Sequence, residues 1–62
     1  MALSRKYYEL IAEEINKLYK LKVSKDSDTL TLEQLMHNLA TRFEEDNENF
    51  NYYYFRKACL KL

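Results

Sequence analysis

The chain contains neither glycine nor proline, so no position carries the residue that makes a positive φ cheap or the one that fixes φ and removes a backbone donor. All-β folds lean on glycine in their hairpin turns, and phosphate-cradling loops need it for close backbone approach. Walker-type and dinucleotide-binding loops are therefore excluded, and helices joined by polar connections are favoured. Only 62 residues are available, and a chain of that size removes about 60% of its unfolded surface from water on folding. Its core is thin, and association with a second chain would add stability. A hydrophobic content of 47% is too high for a disordered tail.

Apolar residues then set the helices. Tyr8, Ile11, Ala12, Ile15, Leu18 and Tyr19 recur at spacings of three and four, which predicts an amphipathic helix over about residues 5–21 with Ser4 as its N-cap. Residues 22–29 (KVSKDSDT) lack a helical period and are rich in Ser, Asp and Thr, side chains that compete for backbone hydrogen bonds and favour a linker. A second helix over about 31–46 follows from a capping box at Thr31 and Gln34 and from the face Leu32, Leu35, Met36, Leu39, Ala40 and Phe43. It should stop near Asp46 or Asn47, because Asn tolerates the left-handed conformation that ends helices when Gly is absent. Asn51 then caps a short third helix over about 52–61, whose inward face is Phe55, Ala58, Cys59 and Leu62 with Tyr54 alongside. The expected fold is all-α, a small three-helix bundle or open helical array forming a single domain over 1–62, with at least ~60% of residues helical against the usual third. Phe43, Phe50, Phe55, Leu39, Ile11 and Ile15 should share its core.

Charge is neutral in total but segregated. Residues 1–25 carry +3, residues 26–51 carry −6, and residues 52–62 carry +3. Two readings follow: intramolecular complementarity, with basic helices 1 and 3 flanking an acidic middle, or an acidic strip that docks on a basic partner. The N-terminal residues lack the apolar core of a signal peptide, and no stretch approaches the ~20 apolar residues of a membrane span. A cytoplasmic protein with no membrane partner is expected. The lone Cys59 permits no internal disulfide, which also suits a reducing compartment.

The residues that could carry chemistry are few. His37 adjoins the inward-facing Met36 and reads as a solvated or boundary histidine; Cys59 lies on the core face of helix 3, where a thiol is a small hydrophobe. One His and one Cys supply no zinc spacing. The acidic segment 44–48 lacks the ligand order and central Gly of a calcium loop. No nucleophile and base, paired carboxylates, cofactor motif or metal set emerges, so the chain reads as a non-enzymatic protein with no cofactor.

The most informative feature is Tyr52-Tyr53-Tyr54-Phe55. Four consecutive helical aromatics point about 100° apart and cannot all face one thin core. With Phe55 and Tyr54 inward, Tyr52 and Tyr53 are left outside, with Lys57 and Leu60 beside them. Tyrosine pairs an apolar body with a polar tip and suits an interface, so Tyr52, Tyr53, Lys57 and Leu60 are the candidate interface, for a dimer or another protein partner. The alternative partner is nucleic acid, gripped by the basic residues and tyrosines of helices 1 and 3.

Ser4-Arg5-Lys6, Tyr8 and Ile11-Ala12 at one end, and Phe43, Asp46-Asn47, Phe50-Asn51, Phe55 and Ala58-Cys59 at the other, resemble a family of small uncharacterised proteins of tailed bacteriophages, including marine and cyanobacterial phages. Members of that family look like FxxDNxxFDxxRFxxAC near their ends. Here Asn51 stands where Asp is usual, Tyr54 where Arg is usual, and no Pro follows Asp46-Asn47. The resemblance implies a phage accessory protein without assigned activity.

Overall fold

A computed structural model describes residues 4–62. Three helices run in order: α1 (Arg5–Ser24), α2 (Leu30–Asp46) and α3 (Tyr52–Cys59). Of the described residues 76% are helical, and no strand occurs among them. The short α3 packs against both longer helices, while α1 and α2 touch each other sparingly. The fold is a small all-α bundle, 37 × 19 × 16 Å in extent.

The core is built where the three periodic faces meet. Tyr8, Ala12 and Ile15 from α1, Leu32, Met36 and Ala40 from α2, and Phe55 and Cys59 from α3 are buried. Ile11, Leu39, Phe43 and Phe50 pack half-buried against them, so all six residues expected to share a core do so. Four aromatics hold one end together: the Tyr8 ring lies 4.9 Å from Phe43 and 4.7 Å from Phe50, and Phe55 lies 5.6 Å from both Phe43 and Phe50. These tilted and edge-to-face contacts add to area burial.

Caps decide the boundaries, and several differ from expectation. Helix α1 continues three residues into the stretch read as linker, because its end is a hydrogen-bonded cap. Asp26 takes a left-handed φ of 53°, its N–H donates to Val23 O (3.1 Å), and Ser27 N–H donates to Lys22 O (2.8 Å). That is the Schellman pattern, with Asp in the place where glycine would be commonest. Ser4 stands at the N-cap position, but its side chain makes no capping bond.

Helix α2 starts at Leu30, and no capping box forms at Thr31 and Gln34. Asp28 Oδ1 instead accepts from Leu30 N–H (2.8 Å), Thr29 Oγ1 donates to Glu33 Oε2 (2.7 Å), and Gln34 turns to donate to Asn38 (2.9 Å). Asp28 thus takes one of the free N–H groups at the helix start, and the N-cap falls at Thr29, two residues before the box would put it. At the other end Asn47 is extended, not left-handed (φ −143°, ψ 106°). Its Oδ1 accepts from Asn49 N–H (3.0 Å), and its carbonyl accepts from Phe50 N–H (2.9 Å), so a side-chain-supported turn ends the helix.

Helix α3 begins as expected, with Asn51 Oδ1 accepting from Tyr54 N–H (2.9 Å). Phe50 and Phe55 close a hydrophobic staple across that cap. The helix ends at Cys59, two residues early. Leu62, expected on the core face, is exposed, as are Leu18 and Leu35. Length is the cause: eight residues of α3 span about 12 Å against about 30 Å for α1, so α3 covers under half of its neighbour.

Candidate functional site

The α3 tyrosines are sorted by what surrounds them, and the sorting reverses part of the expectation. Tyr54, expected inward, is half exposed, and Arg5 of α1 lies over its ring, 5.4 Å from the centroid. Arg5 is in turn paired with Glu9 one helical turn on (3.0 Å). Tyr52, expected outside, is half-buried and packs on the core. Its hydroxyl lies 2.6 Å from His37 Nδ1, and Arg56 Nη1 donates weakly to it at 3.5 Å. A hydroxyl can accept from Arg56 and hydrogen-bond His37 Nδ1 at the same time.

Tyr53 and Lys57 do face away from the core, and Tyr53 is 81% exposed. Tyr53 stacks edge-on against Tyr52, ring centroids 5.3 Å apart. Leu60 is half-buried against the core. The four candidate residues thus divide into an outer pair, Tyr53 and Lys57, and an inner pair, Tyr52 and Leu60, that supports it. On the opposite flank of α3 a cleft of about 380 Å³ opens, with Tyr8, Phe55 and Ala58 in its wall and Arg5, Glu9 and Tyr54 at its rim.

The titratable groups are dispersed. Cys59 is fully buried, and burial pushes its thiol up to about 11 against the opposing pull of the Arg56 charge. It stays protonated at neutral pH and is a poor nucleophile. Glu44, Glu45, Asp46 and Glu48 are exposed at the C-terminal end of α2, where negative charge meets the negative end of the helix dipole. Among the described residues no three His, Cys, Asp or Glu side chains gather to hold a metal ion, and no helix is long and apolar enough to cross a membrane. The basic helices do meet: Lys20 and Lys61 line one seam between α1 and α3, but Glu9 and Glu13 line it too.

Sequence reasoning missed Asn16. It is buried, and its amide donates to Cys59 O (2.8 Å) and Lys61 O (2.6 Å), fastening the end of α3 to the middle of α1. The signal was available: Tyr8, Ala12 and Asn16 stand four residues apart and therefore on one face, so an amide sat among core positions. Comparison with protein-family models, curated proteins and solved structures finds no match to this chain.

Proposed function

We propose that this chain is a small non-enzymatic protein–protein interaction module of phage accessory type, acting in the cytoplasm of the host cell. The observation that carries the reading is the outer surface of α3. Tyr53 stands almost fully exposed on a helix whose neighbours Tyr52 and Leu60 are anchored in the core. A rigidly backed tyrosine with a lysine beside it presents contact area at little conformational cost, as interface hot spots do. Tyr53→Ser with Lys57→Ser should abolish capture of a protein partner from host lysate while circular dichroism stays unchanged. Capture that survives the double substitution would remove α3 from the interface.

The second reading is nucleic-acid binding by the basic residues of α1 and α3, which the packing of those two helices side by side favours. Glu9 and Glu13 in the shared seam oppose it. Salt separates the readings: phosphate contacts weaken steeply with added salt, whereas a tyrosine-centred protein contact changes little.

A further inference from the structure

Helix α1 has a second apolar face that α2 and α3 leave uncovered. Tyr7, Leu10, Leu18 and Leu21 are each about half exposed, 47–54%. At about 100° per residue they fall within an arc of about 80° whose centre lies a right angle or more from the buried Tyr8, Ala12 and Ile15. Apolar patches of this size on a monomer are often functional.

Its spacing identifies the occupant. Glu14 lies at the centre of the arc, with Leu10 and Leu18 four residues away on either side and Tyr7 and Leu21 seven residues away. The pattern reads the same in both directions. A stripe of that kind matches its own copy run antiparallel, because a two-fold axis through Glu14 sets Leu10 opposite Leu18 of the second copy and Tyr7 opposite Leu21. We propose that two copies of this chain pair through α1 in this antiparallel arrangement.

The charges fit the same axis. Lys17 Nζ lies 2.7 Å from Glu14 Oε2 within one chain. In the antiparallel pair Lys17 sits opposite Ile11 of the second copy, one turn from that copy's Glu14. The two carboxylates at the axis are thereby bracketed by two ammonium groups, and the like charges do not meet alone. A parallel pair would keep Glu14 against Glu14 but would also align Lys17 with Lys17 along the seam.

The area is sufficient. Four half-exposed side chains contribute roughly 400 Å² per copy, and the stems of Glu14, Lys17 and Ile11 bring a pair to about the 1,000 Å² at which specific interfaces begin. The whole chain exposes 4874 Å², more than the ~4,300 Å² of a compact monomer of its mass. Pairing through α1 places the self-contact on the face away from α3. It deepens the interaction-module reading by naming one partner, and it leaves the α3 tyrosines free for another.

The test is sedimentation equilibrium of the full chain over a wide concentration range, with Leu18→Lys and Leu10→Lys beside the parent. Both side chains are exposed, so the variants should keep the parent's circular dichroism. The dimer constant should weaken by about 100-fold or more in each, since the change occurs twice per dimer at a central contact. Glu14→Cys under mild oxidation should cross-link to itself, because the axis brings the two copies of residue 14 within disulfide reach, while Tyr53→Cys should not. A parent that remains monomeric throughout would overturn the pairing and leave docking on α3 untouched. A dimer indifferent to both lysine variants, or one in which Tyr53→Cys cross-links and Glu14→Cys does not, would also overturn it.

Discussion

Replacing Asn16 tests the least expected feature of this fold, a buried amide that closes the carboxyl end of α3. The last carbonyls of a helix have no partner within it, and here Asn16 supplies both hydrogens, to Cys59 O at 2.8 Å and Lys61 O at 2.6 Å. In Asn16→Ala the buried Cys59 carbonyl is orphaned, at about 1–3 kcal/mol, whereas the half-buried Lys61 carbonyl recovers most of its loss from water. The sum is about 2–3 kcal/mol, against a total of roughly 3–9 kcal/mol for a chain of this length. Thermal melts followed by circular dichroism should therefore fall by about 10–20 °C.

Asn16→Asp separates hydrogen bonding from packing. Its carboxylate is nearly isosteric with the amide but can only accept, so at neutral pH it faces two carbonyl oxygens and should destabilise more than Ala. Protonated, it regains one donor. The acid form is favoured in the fold, so the folded-state pKa of residue 16 lies above the unfolded value of about 3.9. Stability relative to the parent is then fully present below about pH 3.9 and is lost as pH rises through the raised folded value. An Asn16→Ala variant within about 0.5 kcal/mol of the parent, or an Asn16→Asp variant with the parent's pH profile, would refute the reasoning.

Tyr8→Phe should raise the melting temperature, because the Tyr8 hydroxyl is buried without a hydrogen-bond partner and its removal relieves a desolvation cost of about 1–3 kcal/mol; a lower melting point would show that the hydroxyl is satisfied in solution. Phe43→Ala should cost about 3–5 kcal/mol and unfold most of the chain, since Phe43 touches Tyr8, Phe50 and Phe55 together; chemical denaturation reads this directly. Cys59, buried with its thiol pushed up to about 11, should resist alkylation in the native protein and react fully in denaturant, and rapid native labelling would place it nearer the surface.

Periodicity made the helices and the inner core legible, because spacings of three and four put Ile11, Ile15, Leu39, Phe43 and Phe55 on inward faces whatever the neighbours are. The caps were harder. Thr31 with Gln34 and Thr29 with Glu33 are both polar pairs near a helix start, and only the chain's path after Asp26 selects the second. Left-handed turns behaved likewise: Asn47 and Asp26 both tolerate that conformation, and the one that adopts it is the one at which α1 must reverse toward α2.

The exposed apolar residues were misread for one geometrical reason. A periodic face shows that a helix has an apolar side, but its angular width exceeds what a single short neighbour covers, and α3 is only eight residues long. Leu18 therefore joins the periodic face on spacing alone, although it lies about 80° from Tyr8 and about 100° from Tyr19 around α1. On α3 the same ambiguity exchanged Tyr52 with Tyr54. Both flank Phe55 and Cys59, and sequence alone does not show that α2 brings His37 to one flank while α1 brings Arg5 to the other. What fixes a tyrosine on this helix is thus the polar group its neighbour offers to the hydroxyl or the ring. Tyr53, which neither long helix reaches with such a group, is the one left exposed, which is why the proposed partner contact is placed there.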